Sequence, residues 1–208
     1  MINSPRPRGR PRAFDRDVAL ATAAKTFWLH GYEGASIADL TAAMGITPQS
    51  LYAAFGSKAA LYDEALAWYR GEVGTKTMAA FTAEADVVRA FDRHLQTTAL
   101  AFSEEGRPHG CMISTAVLNS ASETEPVARQ LAEMRGRSLA GYRARLERGV
   151  AEGQLRADSD VAALARFLAA IVQGLSVQAR DGATPDELLS IVAVAVEALE
   201  RRRAPAAG

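Results

Sequence analysis

From residue 14 onward the apolar side chains of this 208-residue chain recur every three or four positions, and no β-branched run alternates with polar residues long enough to make a strand. That pattern demands an all-α fold. Leu20, Ala23, Ala24 and Phe27 mark a first helix over about 15–30, with Asp15 or Asp17 as N-cap and Gly31 as its stop. Ser36-Ile37-Ala38-Asp39 has the spacing of a capping box, and Gly45 ends the helix it opens after Met44. Thr47-Pro48 then starts another short helix, with proline where its missing donor costs nothing, running to about Phe55. Gly56 breaks it. Ser57 caps a fourth helix with Leu61, Ala65 and Trp68 on one stripe, weakened at its far end by Gly71 and Gly74. Further helices are expected over about 86–104, 111–121, 125–153, 159–180 and 185–202, with a turn at Gly106–Gly110, making nine in all.

The length suits one ordinary domain or two small ones. No apolar run of about 18 residues suggests a membrane span, and no apolar segment follows the basic N-terminus as in a secretory signal, so a cytoplasmic protein is expected. A single cysteine, Cys111, forms neither an intrachain disulfide nor by itself a metal site. Phosphate-cradling glycine loops, nucleophile elbows and His-Glu metal pairs are all absent, so neither an enzyme nor a cofactor nor a metal is expected, a small helical enzyme being the remote alternative. The formal net charge is zero but unevenly spread. Residues 1–58 hold seven basic against four acidic groups, and residues 1–12 hold four arginines and no acid. Such an arm suits a polyanion, or else is a solvated tail.

The segment Ser36 to Lys58 carries the sharpest information. Two helices too short to stand alone, joined by a tight turn at Gly45, need a third beneath them, and the helix containing Leu20 and Phe27 supplies it. Leu40, Met44, Ile46 and Leu51 fall inward; Thr47, Gln49, Ser50 and Tyr52 fall outward. Those outward groups suit base edges and phosphates in a major groove about 12 Å wide. The alternative is an ordinary helical hairpin with a polar face.

Taken together, Gly31-Tyr32, Ser36 to Leu40, Met44-Gly45-Ile46-Thr47, Ser50-Leu51-Tyr52, Phe55-Gly56-Ser57-Lys58 and Leu61 resemble the DNA-binding domain of the TetR/AcrR family of transcriptional regulators, over about residues 14–66. The resemblance implies a homodimer, each subunit having a three-helix helix-turn-helix domain on double-stranded operator DNA and a larger helical domain for ligand binding and dimerisation. The expected divisions are a basic flexible arm at 1–13, the DNA-binding domain at 14–56 and the ligand-binding and dimerisation domain at 57–208. By the same resemblance Ser36, Thr47, Gln49, Ser50 and Tyr52 meet DNA and Lys58 meets phosphate. Thr41 stands where the family usually has alanine, and Ala53-Ala54 replace a frequent aromatic or polar pair. Arg8, Arg10 and Arg12, in Pro7-Arg8-Gly9-Arg10-Pro11-Arg12, are similar to an AT-hook, fitted either to reading the minor groove or to tethering phosphates.

In the C-terminal body Trp68, Phe81, Phe91, Phe102, Met112, Met134, Tyr142 and Phe167 either fill a core or surround a small-molecule effector of hydrophobic or aromatic character. His94, Gln96, His109 and Gln173 are candidates to orient it. Gly110-Cys111 at a helix start, with His109 beside it, is either a thiol sensor of oxidants or electrophiles or a small buried hydrophobe. Leu164, Leu168, Ile171, Val172 and Leu175, with Leu188, Ile191, Val192, Ala195 and Leu199, are the expected dimer seam, or simply core. Arg201-Arg202-Arg203 is expected as a frayed, solvated end.

Overall fold

Asp15 starts the first helix: its carboxylate accepts the backbone N–H groups of Asp17 at 2.9 Å and Val18 at 3.2 Å, and α1 runs Arg16–Gly34. The computed structural model describes residues 14–114, 116 and 124–205, so the arm with Arg8, Arg10 and Arg12 lies outside the described residues. Gly31 kinks α1 rather than ending it. Its φ of 76° is one that glycine adopts without strain, and another turn follows to Gly34.

Helices α2 (Ile37–Met44) and α3 (Pro48–Phe55) each span eight residues, and α4 spans Lys58–Tyr69. Leu40, Leu51 and Leu61 are wholly buried, and Phe27 and Trp28 of α1 nearly so. Each such side chain is worth about 1.5–3 kcal/mol on leaving water, and this burial holds together helices of two turns. Thr41, buried where alanine is usual, is accommodated by donating its hydroxyl to the carbonyls of Ile37 (2.8 Å) and Ala38 (3.2 Å).

Beyond α4 the order departs from expectation at two places. Arg70–Gly74 wind as a π-helical turn, and α5 (Thr75–Ala83) follows where no helix was expected. Glycines 71 and 74 loosen the winding without stopping it. The inward stripe of α4 is Leu61, Tyr62, Ala65, Leu66 and Tyr69; Trp68 is only half-buried. Secondly, residues 111–114 form a turn and not the start of a helix over 111–121; residue 115 and residues 117–123 lie outside the described residues. Arg135 holds that turn by donating to the carbonyls of Ile113 (3.0 Å) and Ala116 (3.2 Å).

The body is built from α5, α6 (Val87–Phe102), α7 (Glu125–Ala151), α8 (Val161–Arg180) and α9 (Pro185–Glu200), so the described residues contain nine α-helices and a π-helical turn. Helix α6 is central, packing on α5, α8 and α9, while α7 lies along α8. The C-terminal arginines are not all frayed. Arg203 forms a fork with Asp86, the N-cap of α6, at 2.7 and 3.0 Å, and also pairs with Glu200; Arg201 meets Glu197 at 2.5 Å.

Candidate nucleic-acid interface and regulatory core

Helix α3 is placed by its caps. Thr47 accepts the N–H of Ser50 at 3.2 Å and donates its own hydroxyl proton to Ser50 Oγ at 3.0 Å, leaving the Ser50 proton for an outside acceptor. Gly45 before it and Gly56 after it adopt φ of 65° and 81°. One helix earlier, at the start of α2, Ser36 Oγ accepts the N–H of Asp39 (3.1 Å), and Asp39 accepts the N–H of Ser36 (2.9 Å), closing the capping box. The Ser36 hydroxyl, which also donates to the Asp39 carboxylate at 2.5 Å, and then the Ser36 N–H hold that carboxyl below its ordinary range.

Thr47, Gln49 and Tyr52 are exposed, Tyr52 to 48%, while Leu51 and Phe55 on the opposite side are buried. Ser50 is half-buried, and Ser36 is exposed at the start of α2. Lys58, at the start of α4, lays its ammonium 4.5 Å from the Tyr32 ring centroid. Burial lowers its affinity for protons despite Glu33 nearby. Arg16 reaches across from α1 with its guanidinium 4.4 Å from the Phe55 ring centroid and 2.6 Å from Glu64. A groove runs beside α3 between Phe14, Ala38, Ala42, Ile46 and Pro48, so the chain leaving Phe14 toward the basic arm starts at the edge of this face.

The body holds a second cluster. His94 Nδ1 lies 2.9 Å from the Thr77 carbonyl and Nε2 2.6 Å from the Tyr142 hydroxyl. A carbonyl only accepts, so Nδ1 carries the proton and Nε2 accepts from the phenol. Burial pushes the imidazole below and the Tyr142 phenol above their ordinary values. Phe81 packs edge-on against Phe91 at 4.9 Å and tilted against His94 at 5.0 Å. Phe102 and Met112 are buried with them in the apolar core; Met134 and Trp68 are half-buried.

Other candidates fall elsewhere. Phe167 and Gln173 are exposed on the outer face of α8, Gln96 faces solvent bonded to Asp92, and His109 is exposed. Cys111 is buried at a turn, with its N–H donated to Ser176 Oγ at 2.8 Å and its Sγ accepting from the N–H groups of Ile113 (3.4 Å) and Ser114 (3.3 Å). Nothing in the sequence singled out the tyrosines near it. Tyr62 and Tyr69 are buried, and burial raises both phenols, the thiol adding to the shift. The Tyr62 hydroxyl and Thr98 Oγ1 are buried without a hydrogen-bond partner.

The dimer-seam candidates divide by depth. Leu168, Leu175, Leu188, Val192, Ala195 and Leu199 are buried inside the subunit, so these six are core and not seam. Leu164, Ile171, Val172 and Ile191 are half-buried. The outward stripe of α8 is instead Ala163, Phe167, Ala170, Gly174 and Val177, and Val194 of α9 is 66% exposed. Helical spacing showed that these helices have apolar residues to spare, but not which stripe faces inward.

Residues 19–65 match the family described as bacterial regulatory proteins, tetR family, and residues 90–202 match the tetracyclin repressor-like C-terminal domain. The chain is 35% identical over 188 residues to the HTH-type transcriptional repressor ComR of Escherichia coli K12, covering 88% of each chain. It is 29% identical to the repressor BdcR of the same organism, covering 92% of each. Among solved structures, a cysteine mutant of the TetR family transcriptional regulator CifR, complexed with 26-base-pair double-strand operator DNA, superposes with a TM-score of 0.87 at 44% identity, covering 92% of this chain and 100% of that one. Capped two-turn helices propped on α1, a helical body behind them and matches across both segments lead to one conclusion: the chain belongs to the TetR family of bacterial transcriptional regulators.

Proposed function

We propose that this regulator acts as a homodimeric repressor, reading a pseudo-palindromic operator with α3 and leaving it when a hydrophobic or aromatic effector enters the body. The observation that carries this reading is the outward surface of α3. Gln49 and Tyr52 stand free to approach base edges, while Thr47 and Ser50 are held by the cap. Ser36 and Lys58 flank them toward the phosphates, and the arm adds Arg8, Arg10 and Arg12. Two such heads enter successive major grooves about 34–36 Å apart. The arm reaches the minor groove or the phosphates, and either contact makes binding steeply salt-dependent. The relatives named as repressors, and CifR on its operator, favour the same reading.

Dimerisation falls to the outer stripes of α8 and α9. Helix α8 is long and apolar enough by composition to cross a bilayer, yet one face is core. A second subunit on the Phe167–Val177 face accounts for the excess without a membrane.

The effector meets the group around Phe91, His94, Phe102, Met112 and Tyr142, with Trp68 and Met134 at its margin. Unpartnered hydroxyls on buried Tyr62 and Thr98 favour a ligand with a polar group on an apolar frame, because a bond to either relieves a desolvation penalty of about 1–3 kcal/mol. A second reading has its own observation. Two backbone N–H groups, of Ile113 and Ser114, point at Cys111 Sγ, a cradle that suits a sensor modified at that sulfur. A Cys111→Ser variant that answers every inducer removes this second reading.

Selection from a random duplex library tests the main reading. An inverted repeat bound by a dimer is the expected product; a pool with no paired half-sites overturns it.

A further inference from the structure

The head touches the body through α4, which runs on into the π-helical turn, and through a separate junction at the kinked end of α1. There the Trp28 indole N–H donates to the carbonyl of Gly110 at 3.1 Å, and the carbonyl of Trp28 accepts from Arg180, the last residue of α8, at 3.0 Å. The Trp28 ring is buried edge-on against Tyr69 of α4, 4.8 Å between centroids. The third side of this triangle is steric. A Cβ on Gly110, whose φ is +77°, would lie 2.9 Å from Arg180 Cγ and 2.6 Å from the Ser176 carbonyl oxygen.

Gly110 is itself fixed from the body. Its N–H donates to the Phe102 carbonyl at the end of α6 (2.8 Å), and the next N–H, of Cys111, donates to Ser176 of α8. Helices α6 and α8 thus grip the two peptides that flank the Gly110 Cα, and the second of them, through the Gly110 carbonyl, grips α1. Three residues past Trp28 the chain kinks at Gly31 and leads on to the capped start of α2. None of these groups belongs to the exposed face of α3.

We propose that Trp28 and Arg180 are positioning residues: by clamping α1 to the Gly110 peptide they set the angle of each head on its body, and so the half-site spacing that the dimer accepts. This rests on the reading of the chain as a dimeric operator-binding regulator. Besides α4 and the clamp, an exposed bond ties the head to the body, the Thr124 hydroxyl donating to Glu33 of α1 at 2.6 Å; the buried clamp with α4 fixes an angle, and without the clamp the head gains a swing about the π-helical turn. Each base pair inserted between half-sites moves one about 3.4 Å along the duplex and rotates it, so a free swing registers as lost discrimination between spacers.

The test uses full-length protein and the inverted repeat selected by the wild type, with its spacer lengthened or shortened by one and two base pairs. Trp28→Phe keeps the aromatic contact and removes the donor; Arg180→Met keeps the stem and removes the guanidinium. Wild type is expected to favour its own spacer about tenfold or more, and each variant to lose most of that preference while ranking half-site sequences as before. If Trp28→Phe does not fold, Arg180→Met carries the test. Unchanged spacer preference in the folded variants overturns the proposal. So does an equal loss of affinity at every spacer with a lowered melting temperature, the mark of a merely structural role. A wild-type pool with no inverted repeat removes the functional reading beneath it, a different and distinguishable failure.

Discussion

His94 shows how one buried residue ties stability to pH. Its imidazole is neutral, with Nδ1–H on the Thr77 carbonyl and Nε2 taking the Tyr142 proton, and burial lowers its pKa. A lowered histidine pKa leaves the unfolded chain binding more protons below about pH 6.5, so its contribution is complete above that pH and is lost as the solution acidifies. Unfolding free energies from urea titrations are expected to fall between pH 7 and pH 5, by no more than about 1.4 kcal/mol per pH unit for this one proton, and His94→Gln to flatten that segment. Asp86, held at about 2 chiefly by the Arg203 fork, adds a separate loss as pH falls from about 4 toward 2. The starts of α2, α3 and α4 were legible because their chemistry is local: Ser36, Thr47 and Ser57 cap helices whose starts they announce. Tyr62, Thr98, Ser176 and Arg180 were not. Their roles arise from contacts between helices far apart in sequence, and their residue types are ordinary for a helix.

At the scale of the element, short helices depend on their ends. Removing the Ser36 hydroxyl breaks its bonds to the Asp39 N–H and to the Asp39 carboxylate, leaving only the Ser36 N–H to close the capping box of an eight-residue helix. Ser36→Ala is expected to cost about 1 kcal/mol, seen as a lowered melting temperature and as faster amide exchange in α2 than in α6. Where elements departed from expectation, competing physics explains it. Glycines 71 and 74 only loosened the winding into a π-helical turn, so α5 continued from it. Residues 111–114 are apolar enough for a helix, but the Cys111 N–H is taken by Ser176 and the carbonyl of Ile113 by Arg135, so the segment turns. Helices α8 and α9 carry apolar residues on more than one face, and periodicity alone does not rank those faces. Packing does: α9 lies on α6, so Leu188, Val192, Ala195 and Leu199 turn inward and Val194 turns out.

In the whole molecule, as proposed, an outer α8 and α9 face pairs subunits, a body with unpartnered buried hydroxyls on Tyr62 and Thr98 takes the effector, and two heads read DNA. Phe167 at 37% exposure and Val194 at 66% lie on the face proposed to pair subunits. Phe167→Glu with Val194→Asp is expected to give a folded monomer in sedimentation equilibrium with native helical circular dichroism; a dimer of unchanged affinity places the seam elsewhere. The central claim is that α3 reads bases, and titrating fluorescent duplexes with Gln49→Ala and Tyr52→Phe tests it most directly. Affinity for the selected inverted repeat is expected to fall about tenfold or more, consistent with about 1–3 kcal/mol for a lost base contact, while affinity for scrambled duplex and the melting temperature stay as in wild type. Wild-type affinity for the repeat in both variants would contradict it.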